Sequence, residues 1–157
     1  MTAVDELKDL AAALAPGQRL LALDLGEKTI GMAISDAGLS IASSIGTIRR
    51  RKFTLDAQEL LAIVDERGVG GLVIGLPVNM NGSEGPRCQS VRQFAASLRE
   101  IRHLPVAFWD ERLSTMAVER AMIAADLSRK KRKKAVDTAA AAYILQGALD
   151  ALTFARR

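Results

Sequence analysis

Apolar residues recur along this chain with two different periods, and the switches between them mark out a series of elements. Val4, Leu7, Leu10, Ala11 and Leu14 fall at helical spacing, which predicts an amphipathic helix over 4–15, ended by Pro16-Gly17. The next apolar run, Leu20 to Leu25, is broken only by Asp24 and reads as a buried strand. Gly31 to Ser35 and Ile41 to Ile48 predict two further strands, separated by the turn-forming Asp36-Ala-Gly38. Strands so closely spaced leave no room for a crossover helix, so the first three should form an antiparallel meander.

After this the helical period returns. Thr54 to Arg67 predicts a helix with Leu60, Ile63 and Val64 on one face, and Gly71 to Leu76 a strand. Glu84 to Arg102 is mostly helix, and Val106 to Asp110 a strand. A helix over Ser114 to Ala124, capped by Ser114 or Thr115, and a last one over Ala135 to Ala155 complete the series. The order predicts an α/β fold: a mixed five-stranded sheet, three antiparallel strands followed by two parallel ones, with helices on both faces. There is no internal repeat and no long linker. The 157 residues therefore read as a leader helix in 1–17 and one domain over 18–157.

Composition narrows the classes of protein. With 49% apolar and 25% charged residues the chain has the means to fold around a core. No apolar run reaches the roughly 18 residues of a membrane span, and acidic Asp5 and Glu6 do not suit a signal peptide. A single cysteine, Cys88, excludes an internal disulfide and a cysteine-cluster metal site. These features imply a cytoplasmic address and no membrane partner. The net charge of +4 is uneven, because ten of the 22 basic residues fall in the runs Arg49 to Lys52 and Arg129 to Lys134. The other 12 face 18 acids, so the remainder of the chain is net −6. A basic patch on an acidic background implies a defined anionic partner.

Acids in apolar surroundings are the candidates for chemistry. Asp24 sits inside a buried strand, where an unpaired carboxylate costs several kcal/mol, and it reads equally as a turn cap. Asp110 and Glu111 close the last strand. Neighbours on a strand face opposite ways, so one of the two can aim at a given site, and spacing alone does not choose. Asp137 precedes Ala140, Ala141, Ile144, Leu145, Ala148, Leu149 and Leu152 at helical intervals, on the inward stripe of the last helix. In the first turn it also complements the helix dipole. Three carboxylates on neighbouring elements repel unless cations neutralise them. An oxygen-only site suits Mg²⁺ or Mn²⁺, and two such ions can hydrolyse a phosphodiester. His103, alone in its type, lies at a helix end and is not needed.

Two segments suggest phosphate contacts. The long loop Leu76 to Arg87 contains Asn81-Gly82 and leads through Gly85-Pro86 into a helix, so it can offer backbone N–H groups as well as Asn79, Ser83 and Arg87. Lys28 lies in the turn after the first strand. Arg129, Lys130, Lys131, Arg132, Lys133 and Lys134 end three residues before Asp137; they read as a solvated loop or as a grip on a nucleic-acid backbone. Arg112 either orients a phosphate or pairs with a nearby acid. Aromatic residues make up only 4% of the chain, too few for a base-stacking platform, and Trp109 reads as core.

Four blocks in order carry a resemblance: Asp24-Leu-Gly-Glu-Lys-Thr-Ile-Gly31 with Ser35-Asp36; Gly75-Leu-Pro-Val-Asn-Met-Asn-Gly-Ser-Glu-Gly-Pro-Arg87; Asp110-Glu-Arg-Leu-Ser-Thr115; and Val136-Asp137-Thr-Ala-Ala140 with Ile144-Leu-Gln146. In these, from about Leu21 to Asp150, the chain resembles the YqgF family, bacterial ribonuclease-H-like proteins described as Holliday junction resolvases and as pre-16S rRNA nucleases. The resemblance implies a ribonuclease-H-like fold and an acidic triad of Asp24, Glu111 and Asp137, which favours Glu111 over Asp110. Thr29 departs from the Arg common there in the family and puts a phosphate contact at that position in doubt. The implied activity is metal-dependent endonucleolytic hydrolysis, with structured RNA, the 5′ end of pre-16S rRNA, as first substrate and a DNA junction as the alternative. A junction resolvase must be a dimer, and the sequence leaves monomer or homodimer open.

Other classes fit less well. Actin-like ATPases share an Asp-x-Gly strand end but need a second domain that 157 residues do not supply. Gly-Glu-Lys-Thr lacks the upstream glycine of a P-loop, and Gly68-Val-Gly-Gly71 precedes its strand and so is no dinucleotide fingerprint. A catalytically silent nucleic-acid-binding module remains as the other alternative.

Overall fold

The computed structural model describes residues 3–112 and 129–155. The elements are α1 (Ala3–Ala12), β1 (Arg19–Leu25), β2 (Thr29–Ser35), β3 (Ala42–Arg49), α2 (Phe53–Arg67), β4 (Val69–Leu76), α3 (Pro86–Ile101), β5 (Val106–Asp110) and α4 (Arg129–Ala155). The strands form one sheet in the order β3-β2-β1-β4-β5. β1, β2 and β3 pair antiparallel, and β4 and β5 run parallel to β1. This is the expected mixed sheet. Short turns force the meander, while α2 and α3 supply the crossovers that parallel strands require.

Alternation along the strands divides the core into two layers. Leu21, Leu23 and Leu25, with Ile74 and Leu76, pack against α2 and α3. Leu20 and Ala22, with Val73 and Ala107, pack against α1 and α4. Leu7 and Leu10 bring α1 into this second layer, and the predicted stripe Ala140, Ala141, Ile144, Leu145, Ala148, Leu149 and Leu152 of α4 is buried there. Trp109 also packs in this layer, against Gly147, where a Cβ would stand 3.2 Å from its ring. At the end of α2, Gly68 takes a left-handed conformation (φ 66°) and its N–H bonds Val64 O, a conformation glycine adopts without strain. No helix among the described residues is long and apolar enough to cross a membrane.

One helix boundary differs markedly from the sequence reading. The last helix begins at Arg129, six residues earlier than the period of its apolar face suggests. The basic run is therefore helical and not a loop: Lys and Arg are good helix formers, and periodicity cannot register a turn that carries no apolar residue. The predicted helix over Ser114 to Ala124 lies outside the described residues.

Candidate active site

Because β1, β4 and β5 are parallel, their carboxyl ends share one edge of the sheet, the usual place for ligands in sheets of this kind. Asp24 is the penultimate residue of β1 and Gly75 that of β4, while Glu111 follows β5 directly. Asp24 continues the series Leu20, Ala22 and so lies on the α4 side of the sheet, opposite Gly31 of β2. Glu111 continues the series Ala107, Trp109 onto that same side. The two carboxyl groups lie close enough that Asp24 acts directly on Glu111.

That contact depends on Gly75. A Cβ at this position would stand 2.5 Å from Glu111 Oε1 and 2.6 Å from Ile144 Cδ1. The absent side chain thus admits both the Glu111 carboxyl and the close packing of α4. Burial, followed by the hydrogen bond to Asp24 and the charge of that carboxylate, pushes the Glu111 carboxyl up to about 8; the Arg87 guanidinium opposes this, and Asp110 adds to it. Glu111 therefore keeps its proton near neutral pH, where a cation of higher charge could take that proton's place.

Asp110 faces the other way. Arg112 Nε donates to both its oxygens, at 3.0 and 2.9 Å, and Nη2 adds a third bond. This pairing holds the Asp110 carboxyl below its ordinary range. Arg112 Nη1 also donates to Met80 O at 3.3 Å. Arg112 is thus engaged in tying the end of β5 to the loop before α3. Within that loop Asn79 Nδ2 donates to Ser83 Oγ (3.0 Å), and Ser83 Oγ donates to Asn81 Oδ1 (2.6 Å). Asn79 and Ser83 are exposed, yet these bonds hold their side chains within the loop. Ser35 and Asp36 likewise serve the frame: Ser35 Oγ accepts from Leu20 N–H, and Asp36 Oδ1 accepts from Ser40 and Ile41 N–H.

The remaining candidates fall in three places. Arg87, in the first turn of α3, and Lys28, in the β1–β2 turn, are exposed at the same sheet edge. His103 is exposed before β5, at the opposite edge. The backbone of Asp137 lies in α4, one turn before the fully buried Ala141; its side chain and those of the basic run Arg129 to Lys134 lie outside the described residues. Among the described residues no group of three His, Cys, Asp or Glu is placed to hold a metal.

Sequence reasoning missed three residues here. Gly75 carried a signal, since a glycine inside an apolar strand marks close approach. Arg50, whose Nη1 donates to Gly26 O at 2.7 Å, was one member of a charge run with nothing to single it out. Gln146 docks α4 onto the β2–β3 turn by accepting from Ala42 N–H (2.9 Å) and donating to Ser40 O (3.0 Å).

Comparison with known proteins agrees with this arrangement. A protein of Paramagnetospirillum magneticum named "Putative pre-16S rRNA nuclease" is 63% identical over 142 residues, covering 90% of this chain and 92% of that one. One of the same name from Rhodospirillum centenum is 60% identical over 155 residues, covering 96% and 82%. The yeast mitochondrial Holliday junction resolvase Ydc2 superposes with a TM-score of 0.52 at 14% identity, covering 98% of this chain and 87% of that one. RuvC of T. thermophilus, solved with a Holliday junction substrate, gives 0.50 at 10% identity, covering 88% and 95%. At such identity the superpositions speak for the fold, which is ribonuclease-H-like. The sequence model of the RuvX family, described as Holliday junction resolvase, matches residues 18–151, and with relatives this similar the chain belongs to the RuvX (YqgF) family.

Proposed function

We propose that this chain is a metal-dependent nuclease that hydrolyses phosphodiester bonds in maturing the 5′ end of pre-16S rRNA in the cytoplasm. The observation that carries the reading is the close pair of carboxyl groups, Asp24 and Glu111, at the carboxyl edge of the sheet, with the Glu111 carboxyl admitted by Gly75. A half-buried pair of neighbouring carboxyl groups, one of them kept protonated, is costly for a purely structural role, whereas a divalent cation would relieve it.

The donor chemistry fits such an ion, because carboxylate oxygens suit Mg²⁺ or Mn²⁺ and neither sulfur nor imidazole joins Asp24 and Glu111 among the described residues. Asp24, Glu111 and Asp137 would hold it, the last contributed by α4 one turn before Ala141. Two ions held there would supply the charge that activates a water and stabilises the leaving oxygen. Asp24 is fixed by pairing of its strand on both sides. Glu111 would have to give up its proton to hold an ion, and Arg87 favours the carboxylate form. The basic run occupies the first turns of α4, where the dipole disfavours cations. Such an arrangement gains from polyanion contact, and Lys28, Arg87 and Arg129 to Lys134 would serve it.

The relatives' names favour RNA. The family's description and the two resolvase folds favour a second reading, cleavage of a four-way DNA junction. The purified protein, assayed with Mn²⁺ on an RNA carrying the pre-16S 5′ end and on a four-way junction, should cut the RNA. Preferential cutting of the junction would support the second reading. No metal-dependent cleavage of either would leave a silent binding module.

A further inference from the structure

A cleft of about 210 Å³ opens between the β1–β2 turn and the start of α3, lined by Gly26, Glu27, Arg50, Arg87, Ser90 and Phe94 among others. Arg50 is held on two sides of this cleft: Nη1 donates to Gly26 O at 2.7 Å, and its guanidinium lies 5.7 Å from the centre of the Phe94 ring. Its backbone N–H bonds Lys28 O at 2.8 Å, which ties the base of the side chain to the same turn. Among the described residues no carboxylate forms an ion pair with Arg50 or Arg87. The first turn of α3 contains no acid, so its dipole adds to the positive field. Among the described residues Glu27 is the single carboxylate of the lining.

We propose that this cleft binds a backbone phosphate of the nucleic-acid strand, next to the one held at the carboxylate pair. Gly26 stands two residues beyond Asp24, where the chain has left β1 for the turn, and Arg87 serves both places, since its charge also acts on Glu111. A prepositioned guanidinium fork with unused donors suits a phosphate better than a mobile lysine does. The cleft would fix where along the strand the scissile bond falls. The inference rests on the nuclease reading above, and it is tested by binding, without cleavage.

The probe is a short fluorescein-labelled single-stranded RNA in EDTA, with a neutral methylphosphonate replacing one phosphate at a time. Removing one neutralised phosphate from a single strand lowers the salt slope by about 0.7, or about fivefold in affinity at 0.1 M salt. Wild-type protein should show a fivefold loss for at least one methylphosphonate position. Arg50→Ala should bind the unmodified RNA about fivefold more weakly and show no further loss at that position. Glu27→Gln, which leaves Arg50 in place, should bind more tightly and keep the positional effect. A positional effect that survives in Arg50→Ala overturns the proposal, as does an affinity of Glu27→Gln equal to wild type. If Arg50→Ala fails to fold, Glu27→Gln and Arg50→Lys decide in its place. Arg50→Lys keeps the charge without the fork and should retain the salt slope while losing affinity. Cleavage with Mn²⁺ is measured separately, so that a positional effect without metal-dependent cleavage would sink the nuclease reading and leave the cleft standing.

Discussion

The Cβ that Gly75 lacks would stand 2.5 Å from Oε1 of Glu111. A backbone position on one strand thus decides whether a carboxylate from the next can reach Asp24. Gly75→Ala should displace Glu111 and press on Ile144 together, costing about 1–3 kcal/mol of stability by overpacking and most of the cleavage activity. Thermal unfolding and single-turnover cleavage check it. Wild-type activity in a variant with an unchanged melting temperature would show that the approach is not needed.

Glu111 and Asp110 should separate cleanly. Glu111→Gln removes a group aimed at Asp24 and should abolish cleavage. Asp110→Asn loosens Arg112, a half-exposed pair worth less than about 1 kcal/mol, and should reduce activity mildly. Parallel assays giving the reverse order would reassign the ligand.

The raised Glu111 carboxyl predicts a pH dependence. The Glu111 carboxyl is raised from 4.5 to about 8 in the folded chain, so the folded state holds a proton that the unfolded state releases. The contribution of Glu111 to the stability of the metal-free protein, taken as the difference from Glu111→Gln, should be fully present below about pH 4.5, fall as pH rises to about 8 and level off above. A divalent ion competes with that proton, so the stabilisation by Mn²⁺ should grow over the same window. Thermal melts in EDTA and in Mn²⁺ across this range, with Glu111→Gln as reference, test both; parallel pH profiles for the two proteins would contradict them.

Changing Lys130, Lys131, Lys133 and Lys134 to Ala should flatten the salt dependence of duplex RNA binding by about two to four units, near 0.9 for each phosphate no longer neutralised. Cleavage at saturating substrate should change far less than binding. A salt titration in an Asp24→Asn background measures this, and an unchanged slope would mean that the basic first turns of α4 face only solvent.

Much of this arrangement was readable in advance, for physical reasons that differ by residue. The antiparallel pairing of the first three strands followed from turn lengths, because chain connectivity leaves a meander no alternative. Asp24 stood out because a carboxylate in an apolar strand demands an explanation. The facing of Asp110 and Glu111 was open from spacing alone, since alternation says that two neighbours diverge and not which way. The resemblance favoured Glu111, and the structure places its carboxyl at Asp24. Asn79 and Ser83 looked like free donors because a sequence does not reveal bonds within a loop. Arg50 was hidden for the opposite reason: its role depends on Gly26 and Phe94, brought beside it only by the fold.

The most direct measurement of the central claim is single-turnover cleavage of pre-16S 5′-end RNA with Mn²⁺, comparing wild type with Asp24→Asn. Loss of a supporting group around a metal typically costs 10–100-fold, and loss of a ligand should exceed this. The account predicts a fall of more than about 100-fold at an unchanged melting temperature in EDTA. Cleavage within about tenfold of wild type would contradict it.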